Sequence, residues 1–439
     1  MGLVFTLVLT YGGALASLIR PYYGFLIYVA FSIIRPESLW HWSVPPGNYS
    51  RTIALSLLIG WALHGFGNLA LAGARRPAVA LAYFWGWAGV STLFCEFPED
   101  GVLFLENIGK IVLPALVGLT LINSRRELYE LSWTIVASLG YVAFDFNVSY
   151  FSGYNRLQEI GFGGMDNNSL TIGLVTGVGF AFFLGLSETV FWRRWAAFVA
   201  AALMTHAVFF SFSRGGMLGL IVVGLATALI IPKSPKNLSL MALGIFAALM
   251  MAGPQVLERF SSIGRNSLAG ATDEEVDVSS ESRLHLWEIC LRMTVESPIV
   301  GKGPDHFIRY VQQYPVQTKR GEVVYPKGKE AHTLWLQIVA ELGIPGVAFL
   351  AAFYGLTMSR LWKFTLLDNR DSQGLTPGAT ARMVWAALAG FIVSAQFVSL
   401  EGLELPYFIC IVGLGSIKLN QVENAHAFLE PQPNSDGVR

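Results

Sequence analysis

The chain has 439 residues, 53% of them hydrophobic and only 14% charged, with 30 acidic and 30 basic side chains. A soluble domain carries about 25% charged residues, so this composition excludes an ordinary soluble fold and indicates a polytopic membrane chain. The even charge balance gives no sign of nucleic acid as a partner, and the information lies in where the Lys and Arg sit.

The stretch from Met1 to Ile19 has no basic n-region and reads as a first spanning helix rather than a cleaved signal. Apolar runs long enough to cross a bilayer fall at about 3–19, 22–40, 52–73, 77–95, 103–122, 129–149, 168–187, 194–212, 215–232, 238–253, 332–358, 382–400 and 403–420. Cys95, Cys290 and Cys410 show no paired spacing and read as small core residues. The polar stretch 254–331 is the one long interruption of the apolar pattern, and a charged loop kept in such a chain points to recognition or chemistry.

Orientation follows from the bias of basic residues toward cytoplasmic loops. Alternate loops carry Arg20, Arg75 and Arg76, Arg125 and Arg126, Arg193 and Arg194, Lys233 and Lys236, then Arg360, Lys363, Arg370 and Arg382, and Lys418. The other loops hold little beyond Arg51 and Arg156, and one is acidic at Glu96, Glu99 and Asp100. The insert is therefore expected outside and the C-terminus in the cytoplasm. The expected organisation is an N-terminal bundle over 1–253, an extracytoplasmic loop over 254–331, C-terminal helices over 332–420 and a disordered cytoplasmic tail over 421–439.

Within the insert, Ser279-Ser280-Glu281-Ser282 is expected to cap a helix that runs to about Glu296 and stops at Ser297-Pro298. Leu284, Leu286, Trp287, Ile289, Cys290 and Met293 form its apolar stripe. Gly301-Lys302-Gly303-Pro304 reads as a turn, Asp305 as the cap of a second short helix from Phe307 to Gln313, Tyr314 to Glu330 as a basic, irregular segment with Lys319, Arg320, Lys327 and Lys329, and Asp273, Glu274, Glu275 and Asp277 as a mobile part.

Three residues stand out for chemistry. Arg214 opens a span in Ser213-Arg214-Gly215-Gly216, where free helix N–H groups favour an anion and the glycines admit a ligand to the backbone; the bland reading is a snorkelling arginine. Arg283 begins the insert helix and offers a planar fork of donors suited to phosphate oxygens, against the bland reading of a solvated helix face. His332 opens the span after the insert, where a helix N-terminus keeps imidazole neutral and able to accept a proton. Cys290 as a nucleophile near His332 is the minor alternative. No P-loop or DxD pattern points to ATP or a metal-held phosphate, so neither cofactor nor metal is expected.

Taken together, Ser213 to Gly216, Glu281-Ser282-Arg283 through Trp287, Ser297-Pro298 through Gly303, His332-Thr333-Leu334-Trp335-Leu336 and Glu341-Leu342-Gly343 resemble the O-antigen ligase family of ligases, polymerases and protein O-oligosaccharyltransferases. Asn155-Arg156-Leu157 and Gly163 to Asn168 resemble that family's upstream loop, so the likeness runs from Arg156 to about Gly346. The family often has Asn or Ser where this chain has Thr333. The N-terminal spans, with Ile34-Arg35-Pro36-Glu37, are similar to putative O-glycosylation ligases encoded with exosortase systems.

The resemblance implies an all-α polytopic, GT-C-like membrane protein with about 12–13 transmembrane helices and one large, partly helical extracytoplasmic loop. It implies metal-independent, inverting glycan transfer from an undecaprenyl-diphosphate-linked donor at the periplasmic face of a bacterial inner membrane. The hydroxyl acceptor would be lipid A core, another glycan or a protein, and membrane lipid is the surrounding partner. By position, Arg214 and Arg283 would hold the diphosphate and His332 would activate the acceptor, with Arg156, Asn168 and Trp287 as further substrate contacts. A polymerase of the same superfamily and a polysaccharide or lipid transporter are the competing expectations; the transporter fits less well, because the polar candidates cluster at one membrane edge.

Overall fold

A computed structural model of the chain describes residues 2–251, 274–317, 321, 323–367, 375–399 and 402–429, without the side chains of 274–281 and 424–429. Asp273, Lys319, Arg320, Arg370, Glu401 and the end of the chain from 430 onward lie outside the described residues. The protein is an all-α polytopic membrane protein. Its helices are α1 (Gly2–Ile19), α2 (Pro21–Ile34), α3 (Pro36–Leu39), α4 (Tyr49–Leu63), α5 (Arg75–Thr92), α6 (Pro98–Leu121), α7 (Arg125–Phe151), α8 (Arg156–Glu159) and α9 (Asn167–Ser187). They continue as α10 (Phe191–Phe210), α11 (Arg214–Ile230), α12 (Pro235–Met251), α13 (Glu274–Glu296), α14 (Phe307–Tyr310), α15 (Leu334–Thr365), α16 (Pro377–Ser394) and α17 (Leu405–Leu429).

Each expected span has a helix, and seven of those described are both long and apolar enough to cross a bilayer: α1, α6, α7, α9, α15, α16 and α17. α4, α11 and α12 are apolar but shorter. α2 is stopped at Arg35, which adopts φ 44° before Pro36, because a residue ahead of proline is disfavoured in the α region. α9 packs on α10, α11 and α16, while α1, α2 and α4 form a flank. Large apolar side chains such as Val4, Val8, Leu225, Leu229 and Phe246 face outward, as a lipid-solvated surface requires. α17 continues past the expected start of the tail, to Leu429.

The helix ends sort into two layers. At one, basic side chains close helix C-termini. Lys418 is buried and its Nζ donates to Ile122 O (2.9 Å) and Leu119 O (3.1 Å) at the end of α6. Arg382 Nε donates to Thr365 O at 2.9 Å, and Arg194 Nε to Glu188 O at 3.0 Å. The other layer holds the loops after α3, α5, α8, α10 and α16, and the insert lies on it.

The insert folds around a small core of its own. Leu286, Ile289, Cys290 and Met293 of α13 pack against Phe307, Val311, Tyr314 and Val316, with Ala331 and Ala340 closing it from the start of α15. Leu284 is instead exposed. α13 starts at Glu274, so the serines 279–282 lie inside it rather than capping it, and Arg283 sits mid-helix. Asp305 does not cap α14 either, since the N-cap position is His306. A two-residue ladder pairs β1 (Val316–Gln317) with β2 (Val323–Val324), Val316 opposite Val324. The acidic loop expected outside serves as a ledge: Arg309 Nη2 meets Asp100 at 2.8 Å, Tyr310 Oη donates to Glu96 at 2.5 Å, and the Phe97 N–H donates to His306 Nε2 at 3.2 Å.

α15 is not one straight span. Gly343 has φ 69° and ψ −175° and Pro345 follows, which divides the helix into a short piece, 334–342, and a longer one beyond. The backbone groups freed by the break are taken up by the insert: Ile344 N–H donates to Pro298 O (2.8 Å), while Lys302 and Gly303 N–H donate to Ala340 O (3.0 Å) and Glu341 O (2.9 Å). A Cβ on Gly343 would lie 2.1 Å from Ile299 O, and one on Gly301 2.1 Å from Glu341 O, so both glycines are required by this close approach.

Candidate active site

A polar cleft of about 850 Å³ opens where the insert meets the bundle. Its walls are the loop 163–166 and Ser169 from the start of α9, Ser282 and Arg283 from α13, Asp305, Phe307 and Ile308, and Gly328 to Glu330. His332 and Gln337 close it from the start of α15, Arg35 from the α2–α3 corner, and Ser399, Gly402 and Leu403 from the loop before α17.

His332 stands one residue before the N-cap Thr333 and has φ 51°. A left-handed backbone at a non-glycine residue costs of order 1–3 kcal/mol and persists only where the surroundings impose it. Here Ala331 is buried in the insert core on one side and Thr333 is buried on the other, so the imidazole is turned into the cleft between two anchored neighbours. Thr333 makes no capping hydrogen bond, and its Oγ1 is buried without a partner.

Burial lowers the His332 pKa below the ordinary imidazole range; the positive charge of Arg283 lowers it further, Asp166 pulls it back up, and Lys329 lowers it. The neutral ring that general-base chemistry needs is thus favoured by the cleft as a whole. Burial also lowers the Arg283 pKa, against the opposing charge of Asp166. Among the described residues, neither Arg283 nor His332 has a hydrogen-bond or ion-pair partner at contact distance. Lys329 Nζ donates to Ser282 Oγ at 3.0 Å, beside them. Glu330 is exposed to the cleft; desolvation there, with the charges of Asp166 and Asp305, raises its carboxyl above the ordinary range.

The structure thus brings Arg283 and His332 together and leaves other predicted site residues off the cleft wall. Arg214 begins α11 at the same end of the bundle, half-buried and engaged by another group. A Cβ on Gly215 would lie 3.1 Å from Phe397 and one on Gly216 2.2 Å from Thr171, so both glycines permit close helix packing. Arg156 is buried and donates to Ser38 O (2.7 Å), Leu39 O (3.2 Å) and Asp145 (3.1 Å), which fastens the loop after α7 to the end of α3. Asn168 Nδ2 donates to Asp166 at 3.2 Å, behind the cleft wall. Trp287 lies one turn beyond Arg283, with its Nε1 buried and unpartnered. Cys290 is buried in the insert core, and burial pushes its thiol well up, the opposite of an activated nucleophile.

Arg35 reaches the cleft although its sequence position gave it no role. Its guanidinium donates to Gly163 O (2.6 Å) and to Glu404 (2.7 Å). The available signal was an arginine at a proline break inside an apolar run. Gln337 and Ser399 were equally unmarked, since neither is unusual at a helix end.

Two family models match the chain. One, described as a family of unknown function, covers residues 1–163. The other, described as O-antigen ligase, covers residues 199–351. No curated protein matches. Arg214, Arg283, His332 and the Gly343 break all fall inside the second matched stretch, over which the chain is similar to the O-antigen ligase family.

Proposed function

We propose that this protein transfers a preassembled glycan from undecaprenyl diphosphate to a hydroxyl acceptor at the periplasmic face of a bacterial inner membrane. The O-antigen ligase domain supports glycan transfer in general. The observation that carries the finer reading is the pairing, in one polar cleft, of an arginine and a histidine that have no hydrogen-bond or ion-pair partner among the described residues, the histidine with a pKa lowered by burial.

In this reading His332 accepts the proton of the acceptor hydroxyl as its oxygen attacks the anomeric carbon. The bond from that carbon to the phosphate oxygen breaks, undecaprenyl diphosphate leaves with the electron pair, and attack from the opposite face inverts the centre. Arg283 stabilises the departing charge with a fork of donors, so the reaction calls on side chains rather than a metal. Lys329 and Arg35 add positive wall; Arg214 would act from the adjoining helix start. Asp166, Asp305 and Glu330 are the acceptors available to sugar hydroxyls. The gathering of Lys and Arg at the opposite helix ends supports a cleft that faces away from the cytoplasm.

The test is transfer by purified protein from an undecaprenyl-diphosphate-linked oligosaccharide, wild type against His332→Ala. Transfer by the wild type and its loss in the variant is the expected result. Equal transfer by both would remove His332 as the base, and no transfer by the wild type from any lipid-diphosphate donor would favour a transporter.

A further inference from the structure

Glu341 lies on the short piece of α15, nine residues after His332, and its side chain is fully buried. The carboxylate is not part of the cleft lining; it stands behind the insert turn and Gln337, is hydrogen-bonded to both, and reaches Ser399 only through Gln337. Oε2 accepts from the Asp305 N–H at 3.0 Å and Oε1 from the Phe307 N–H at 3.0 Å, and both residues line the cleft from the insert. Oε1 also accepts from Gln337 Nε2 at 3.2 Å, and Gln337 Oε1 in turn accepts from Ser399 Oγ. Gln337 and Ser399 are the cleft's other two walls here.

The geometry points to Glu341 as a positioning residue for the transfer reaction, the group that fixes the insert turn 303–307 in register with the short helix presenting His332. A carboxylate suits the task because it offers two acceptor oxygens and no donor, and the turn offers two N–H groups. Asp305 has φ 60°, so the turn is held in a backbone conformation that the carboxylate's acceptors help to impose. The backbone of the same residue accepts from Gly303 N–H, which places the insert on Glu341 from two sides. This inference rests on the proposed transfer reaction for its kinetic arm only; the latch itself is read from binding and exchange.

Glu341→Gln is the discriminating variant, because it keeps the volume but turns one acceptor oxygen into a donor that faces a backbone N–H. In the full-length protein, turnover of an undecaprenyl-diphosphate tetrasaccharide, with a membrane extract supplying the acceptor, should fall about a hundred-fold in kcat, as a small misplacement does. Affinity for geranylgeranyl diphosphate, a probe of the Arg283 side of the cleft, should stay within about three-fold. Amide exchange should quicken in 303–310 and remain at wild-type rates elsewhere. E341D keeps both oxygens on a shorter stem and should lose about ten-fold, which reads the same question if E341Q does not fold. Wild-type kcat in E341Q, or parallel losses in kcat and affinity, or unchanged exchange in 303–310, would each overturn the assignment. If the wild type transfers nothing, the functional reading fails alone, and the exchange and binding measurements still decide the latch.

Discussion

Both ends of the bundle gather cations, and they use them differently. At the basic end Lys418 caps α6, Arg382 and Arg194 donate to carbonyls at helix ends, and Arg125 makes a two-point contact with Glu423 (2.6 and 2.9 Å). At the cleft end Arg156 and Arg35 are bound in the same manner, yet Arg283 and His332 present their polar atoms to open volume. Residue type and position at a membrane edge therefore do not distinguish Arg283 from the arginines that the fold itself binds. What separates them is whether the fold itself supplies acceptors, since an unmatched half-buried guanidinium calls for an anion from outside.

The largest break in this comparison should come from His332→Ala, with transfer reduced by about a thousand-fold in a purified assay, the scale of a lost general base. Arg283→Lys should follow at about a hundred-fold, because a point charge does not replace a fork of donors. The two are linked through pH. Burial and the neighbouring charges hold His332 below its ordinary range, so the acid limb of kcat/KM against pH should lie below the usual imidazole value. Arg283→Gln removes one of those positive charges, which raises the His332 pKa and shifts that limb to higher pH; a limb that moves down or stays would separate the two residues.

At the basic end the expectation reverses. Lys418→Met leaves the last carbonyls of α6 without their donor and should cost roughly 1–3 kcal/mol, seen as a lower Tm, with turnover per folded molecule unchanged. Arg156→Lys should have the smallest effect on transfer and register mainly as weaker attachment of the loop after α7, measured by amide exchange in 152–160. A large kcat loss in either variant would erase the distinction between the two ends.

The membrane character and the seven long apolar helices were legible because apolar length is set by the bilayer and shows in a single sequence. The break at Gly343 was hidden, since a lone Gly-x-Pro inside an apolar run lowers hydropathy very little; its cause is the insert backbone at Pro298 to Gly303, which local reading does not bring near. Arg283 and His332 were legible through the spacing of their motifs. Arg156 was read as a substrate contact from that same likeness, whereas its burial against Ser38 and Leu39 depends on a distant helix corner. Arg35 is the converse, an arginine brought to the cleft by the fold across a long sequence separation.

The division of α15 also bears on how the site relates to its solvent. Only the piece beyond Gly343 is built as a continuous span, and the piece before it is fastened to the insert. A change of bilayer thickness tilts or shifts spanning helices. The left-handed glycine places a joint between that movement and His332, so the imidazole travels with the insert rather than with the lipid. His332 is in this sense mechanically part of the insert's layer, although its residue number places it at the head of a transmembrane helix.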